Sequence, residues 1–190
     1  VRPVFKRVDT CAAEFATQAV LEAEPDRARS LLAANFTNTI VFCEEARAYL
    51  LPRGGTLCVF SSVAGERGRK PVVLYGSSKA GLSAYLEGLD HKFRAQGLRT
   101  ITVKPGFVKT SATAGLPPPP FAGEPEGVAR DVLRALDAGS PVLYTPRMWA
   151  LVMLVLSSVA VVGYVLVKGM AVLRRRLLIW HQEAMAPSTV

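Results

Sequence analysis

A junction near the middle of the chain constrains the fold most. Residues 56–60, Thr-Leu-Cys-Val-Phe, carry no charge, follow the turn formers Pro52-Arg53-Gly54-Gly55, and lead directly into Ser61-Ser62. A run that is short and apolar throughout, rather than alternating, suits a strand covered on both faces, as in a parallel sheet flanked by helices. From Tyr75 to about Gln96 the pattern reads as a helix, with Gly97 in the terminating position. The chain therefore has to fold around a strand, a serine-bearing turn and a long helix.

That unit carries chemistry. Tyr75 and Lys79 are four residues apart, so a helix places them on one face, one turn from each other. A neighbouring ammonium favours phenolate over phenol, so the spacing predicts a tyrosine drawn from ~10 toward neutral pH. Ser62, thirteen residues before Tyr75, is placed to hold a substrate carbonyl while the tyrosine delivers a proton. Tyr-x-x-x-Lys alone recurs by chance in many helices. The strand, the Ser-Ser pair, the spacing and the following Ala80-Gly81-Leu82 together are far more specific.

On these residues the chain resembles the short-chain dehydrogenase/reductase family, over roughly residues 20–145. Ser62, Tyr75 and Lys79 are similar to its catalytic serine, tyrosine and lysine. Asn35, 27 residues before Ser62, falls where the family carries a helix-borne catalytic asparagine. Pro105-Gly106-Phe107-Val108-Lys109-Thr110 resembles the family's P-G-x-V-x-T, whose threonine and backbone hold the nicotinamide carboxamide. The resemblance implies a Rossmann-like, doubly wound, mostly parallel α/β sheet and NAD or NADP as cofactor. It implies Tyr75, Lys79, Pro105, Gly106, Val108 and Thr110 as cofactor contacts, with Lys79 on the nicotinamide ribose and Asn35 completing a proton relay. The narrower run 64–82, AGERGRKPVVLYGSSKAGL, is similar to the reductases that partner decaprenylphosphoryl-ribose 2'-epimerase.

The family's opening strand and T-G-x-x-x-G-x-G turn, whose amides hold the cofactor pyrophosphate, have no counterpart here. Gly54-Gly55 precedes a strand rather than following one. With Val1 in place of a methionine, the reading is of a truncated chain that keeps the second half of the fold. The residue that chooses between NAD and NADP is missing too. An uncovered sheet edge is expected where further strands would pair.

Elsewhere, residues 10–21 have helical apolar spacing. Pro25-Asp26 opens a helix expected to reach about Leu50, with Leu31, Leu32, Phe36, Ile40 and Phe42 as its stripe. Residues 99–104 read as a strand. Residues 111–125 are a proline-rich loop with a four-proline, polyproline-type run, where the family carries a substrate lid. A helix over 124–138 turns Val128, Val132, Leu133 and Leu136 inward, and 142–144 is a last strand. Cys11, Cys43 and Cys58 lack metal spacing and read as free thiols in a reducing compartment. His91 and His181 are too far apart to suggest a metal site. In the loop 65–71, Glu66, Arg67, Arg69 and Lys70 read as solvated, or as recognising an anionic head group.

The formal charge of +8 does not indicate nucleic acid, because residues 147–190 supply five Lys/Arg against one Glu beside an uncharged run, 148–167. At 1.5 Å per residue those twenty residues reach ~30 Å, the bilayer's hydrocarbon thickness. Trp149 and Trp180 suit interface anchors, 174–176 a basic flank and 170–180 an interfacial helix. The domain reading is thus a partial catalytic domain, 1–146, and a membrane-associating segment, 147–190. The protein is expected at a membrane with its catalytic part on the cytoplasmic side. The function expected is NAD(P)-dependent reduction of a ketone, or oxidation of a secondary alcohol, on a lipid-like or polyprenyl-linked substrate. Expected partners are that substrate, the membrane, and a homodimer or an epimerase. The rival readings are a keto-sphingoid, sterol or fatty-acyl substrate for the same chemistry, or a membrane-anchored partner protein without catalysis.

Overall fold

A computed structural model describes residues 7–10 and 13–184. In chain order the elements are β1 (Arg7–Thr10), α1 (Gln18–Ala23), α2 (Pro25–Leu32), α3 (Asn38–Leu50), β2 (Gly55–Phe60), α4 (Val73–Phe93), β3 (Leu98–Pro105), α5 (Pro125–Ala138), β4 (Val142–Thr145) and α6 (Met148–Ala184). All strand pairs are parallel and the sheet order is β1-β2-β3-β4. This is the expected α/β arrangement.

The alternation of strand side chains builds two cores. Leu57 and Val59 of β2 and Leu98 of β3 pack with Cys43 and Leu50 of α3 and Leu82, Leu86 and Leu89 of α4. On the other face Cys58, Ile101 and Val103 meet Val128, Val132 and Leu136 of α5. Residues of β2 alternate between the cores while remaining buried, so the uncharged run is explained by cover on both sides. Cys43 and Cys58 are buried free thiols with pKa values pushed up to about 12 by burial. Cys11 lies outside the described residues.

Several expectations need correction. Residues 7–10 form β1, paired with β2, and 13–17 follow without regular structure, so the helical spacing over 10–21 yields only the short α1. Leu133 is 54% exposed, because α5 turns only its 128, 132, 135 and 136 positions inward. The helix from Pro25 to Leu50 is interrupted by a π turn, Ala33–Thr37.

By chain contacts, Val1–Ala150 form one compact unit and Leu151–Val190 a second. Residues 148–167 belong to α6, a 37-residue helix that continues through 170–180 without a separate interfacial element. Among the described residues no helix is long and apolar enough to cross a membrane, which corrects the expectation of a membrane-type helix. The uncharged run shares its helix with Lys168, Arg174 and Arg175 rather than standing alone as a span.

Candidate active site

β2 ends at Phe60 and releases the chain into Ser61, Ser62 and a tight turn, Val63–Gly65. Ser62 caps that turn by accepting the Ala64 N–H at 3.1 Å. Its hydroxyl lies 3.4 Å from the Pro105 carbonyl at the end of β3, and it also hydrogen-bonds the Tyr75 hydroxyl. Ser62 has one proton, so it serves one of these acceptors at a time. Ser61 fixes the neighbouring layer: its hydroxyl donates to the Lys79 carbonyl at 3.0 Å and pairs with Ser83 at 2.7 Å.

Tyr75 occupies the first turn of α4, and Lys79 lies one turn on. Gly65 and Gly76 bring the serine turn against that helix. A Cβ on Gly65 would sit 2.6 Å from the Ala80 nitrogen, and one on Gly76 2.9 Å from the Ala64 carbonyl oxygen. Backbone therefore meets backbone, and this close approach sets the Ser62–Tyr75 contact. The Phe15 ring closes the outer side of Tyr75 edge-on, with centroids 5.2 Å apart.

The electrostatics differ from the expectation. Burial raises the Tyr75 pKa above its usual value, only partly opposed by the Ser62 hydrogen bond. Lys79 is 1% exposed, and burial lowers its pKa to about 8. Its ammonium donates to the Phe60 carbonyl at 3.0 Å and lies 5.9 Å from the centre of the Tyr75 ring. The predicted lowering of the tyrosine is thus corrected: desolvation outweighs the cation, which is directed to a backbone carbonyl.

Asn35 sits fully buried inside the π turn. Its amide grips the Glu14 backbone from both sides, accepting N–H and donating to C=O at 2.7 Å each. It is therefore engaged with Glu14 rather than with Lys79. A π turn inserts one extra residue and takes a backbone carbonyl out of the regular ladder. The turn packs on α4 where Phe36 covers Gly81, whose Cβ would fall 2.7 Å from the ring.

The Pro105-Gly106-Phe107-Val108-Lys109-Thr110 segment runs out from β3. Gly106 N–H donates to Thr145 at 2.9 Å, and Val108 bridges Gly123. Thr110 is exposed and caps the next turn through Thr113. The structure thus gathers Ser62, Tyr75, Lys79 and Pro105, with Gly106 and Val108 continuing from Pro105 along the chain; the side chain of Asn35 is engaged with Glu14 and that of Thr110 with Thr113. Sequence reasoning missed Phe15, Glu14 and Trp149. The Trp149 indole lies directly on Gly106, where any Cβ would overlap it, and its buried N–H has no partner among the described residues. That corrects its reading as a membrane-interface anchor. Glu66, read as solvated, pairs with Lys104 at 2.6 Å.

Comparison with known proteins agrees with this geometry. Residues 8–119 match the family model for short chain dehydrogenase. An uncharacterized oxidoreductase of Mycobacterium tuberculosis is 36% identical over 135 residues, covering 70% of this chain and 53% of the relative. Carbonyl reductase family member 4 of Xenopus laevis is 30% identical over 128 residues, covering 63% and 54%. A crystal structure of a short chain dehydrogenase from Burkholderia cenocepacia in complex with NADP superposes with TM-score 0.66 at 26% identity, covering 73% of this chain and 60% of that one. The chain spans about half the length of the curated relatives it matches. With the parallel sheet, the serine turn and the tyrosine and lysine of α4 in the arrangement described, the chain belongs to the short chain dehydrogenase family.

Proposed function

We propose that this chain carries the proton-transfer half of an NAD(P)-dependent oxidoreductase that interconverts a ketone and a secondary alcohol. The observation that carries the reading is the Tyr75–Ser62 hydroxyl pair beside the buried Lys79 ammonium. Among the described residues that ammonium donates one hydrogen bond, so two N–H groups remain for ligand hydroxyls, which fits a nicotinamide ribose. A nicotinamide bound there supplies or accepts the hydride. Ser62 positions the carbonyl oxygen, and Tyr75 gives it a proton. The raised tyrosine pKa keeps the phenol protonated at neutral pH, which favours reduction; alcohol oxidation needs the phenolate and so gains with rising pH. Asn35 acts through the π turn, whose released carbonyl holds water for proton resupply, since its amide is committed to Glu14.

The substrate reading is a lipid-like or polyprenyl-linked molecule met at a membrane surface, as in the reductases that partner decaprenylphosphoryl-ribose epimerase. It is supported by α6, where Leu151, Leu154, Val159 and Leu166 are more than half exposed beside Lys168 and the 174–175 arginines. An epimerase or a second copy of the chain is the proposed protein partner, with no role for nucleic acid. The test follows loss of reduced cofactor, supplied at millimolar concentration, with short and long-chain ketones, in the chain and in Tyr75→Phe. Tyrosine-dependent turnover, higher on long-chain ketones with vesicles present, is the expected result. Turnover indifferent to Tyr75 would remove the mechanism, and equal rates on both ketones the lipid reading.

A further inference from the structure

The loop that follows the serine turn forms a second concavity, on the far side of α4 from the tyrosine. Gly76, Ser77 and Ala80 line it from the helix, and Arg67, Arg69 and Lys70 from the loop. Helical geometry places 76, 77 and 80 about 100–200° around the axis from Tyr75, so this cleft does not share the Ser62–Tyr75 face. Its volume of about 370 Å³ falls within the roughly 300–1,000 Å³ of small-molecule sites.

Three observations set this cleft apart from a solvated charge run. No acidic side chain lines it: the one nearby in sequence, Glu66, is turned to Lys104 at 2.6 Å. The side chains of Arg69 and Lys70 make no hydrogen bond or ion pair among the described residues. The base of the loop cannot drift from the helix, because Gly65 and Gly76 leave no room for a Cβ between the two backbones. Arg69 and Lys70 are thus presented on a fixed turn over a slim, small-residue wall, with Arg67 beside them. Guanidinium forks match phosphate oxygens in paired hydrogen bonds, and an ammonium adds a point charge.

We propose that this cleft is a binding site for a phosphate or diphosphate group, separate from the reaction centre. The site does not depend on the oxidoreductase reading. A bound anion would bridge the loop to α4. Ala64, which donates to Ser62, and Gly76, which follows Tyr75, lie at the two sides of that bridge.

The test is calorimetry of the full chain with inorganic pyrophosphate, at constant ionic strength held with chloride. Saturable binding of one pyrophosphate per chain is expected. The double variant Arg69→Ala, Lys70→Ala should weaken it by at least ~10-fold, about 1.4 kcal/mol. Both side chains are exposed, so the fold should tolerate the change, which circular dichroism checks. Ser77→Asp, which places a carboxylate in the cleft, should weaken binding as much, whereas Lys92→Ala on the opposite end of α4 should leave it unchanged. A second arm measures sedimentation with vesicles of anionic or neutral lipid, read as the difference between the wild-type chain and the double variant. A difference on anionic vesicles that pyrophosphate abolishes identifies a lipid headgroup as the natural source. Pyrophosphate binding without such a difference identifies a soluble phosphate compound. Absence of saturable binding, or equal affinity in the wild-type chain and the double variant, overturns the proposal.

Discussion

At the residue scale, the roles of Tyr75 and Lys79 separate by experiment. Tyr75→Phe keeps the ring and its edge contact with Phe15 and loses only the hydroxyl bonded to Ser62. Turnover should fall by ~10² to 10⁴, the usual share of a positioned acid, with circular dichroism and thermal midpoint nearly unchanged. Lys79 gives a pH signature independent of activity. Its folded pKa of about 8 lies below the unfolded value, near ~10.4. Between about pH 8 and 10 the unfolded chain therefore binds more protons, and this group makes stability rise with pH. The buried thiols of Cys43 and Cys58, held at about 12 when folded against ~8.5 when unfolded, work in the opposite sense from about pH 8.5 upward, and Tyr75 joins them above about pH 10, where the unfolded phenol ionises and the folded one keeps its proton. Keeping Lys79 charged in its buried place costs on the order of 3 kcal/mol at neutral pH. Lys79→Met, of similar length, should be at least as stable as the wild-type chain at pH 7 and should lose stability with pH more steeply than the wild-type chain between about pH 8 and 10. Urea titrations across that range check it; an unchanged slope would place the titration elsewhere.

At the scale of elements, Asn35 is the residue whose removal should cost most without touching Tyr75. It supplies both partners of a half-buried backbone unit, the N–H and C=O of Glu14. Asn35→Ala leaves two such groups unpaired, at about 1–3 kcal/mol each. Destabilisation on the order of 2–4 kcal/mol is expected in chemical denaturation, with Asn35→Asp intermediate because it keeps an acceptor for the Glu14 N–H. The sequence made much of this layer readable. The uncharged run gave β2, Gly97 marks the end of the helical stretch with φ 94°, and Tyr75 and Lys79 share a helix face as their spacing requires. What it left hidden depends on contacts between distant segments. The π turn has the same apolar stripe as an unbroken helix, and only the packing of Phe36 on Gly81 and of Asn35 on Glu14 distinguishes them. The Lys79 ammonium reads as a partner of the tyrosine until the Phe60 carbonyl, nineteen residues away, is seen to take it. Trp149 reads as part of an apolar run until Gly106 receives it.

At the scale of the whole molecule, the described sheet has four strands, with β1 at one edge and β4 at the other. The reaction residues gather at the carboxyl ends of β2 and β3, where open parallel sheets place their ligands. The two ends of a dinucleotide meet very different surroundings. In the proposed reading the nicotinamide ribose would have Lys79, and the substrate carbonyl Ser62 and Tyr75. For the pyrophosphate the sequence holds no T-G-x-x-x-G-x-G motif. In this family's architecture that motif contributes several backbone N–H bonds and a helix N-terminus to the most highly charged part of the cofactor. A chain that holds only the ribose and the ring loses the charge-assisted share of the binding energy, and at 1.4 kcal/mol per tenfold a few such bonds separate micromolar from millimolar affinity. Calorimetry of the 190-residue chain with NADH and NADPH should therefore show no saturation at micromolar concentrations. Nicotinamide mononucleotide, which lacks the adenosine half, should lose little by comparison with the dinucleotides. Micromolar binding of either dinucleotide, with the mononucleotide much weaker, would mean that some other part of this chain grips the pyrophosphate.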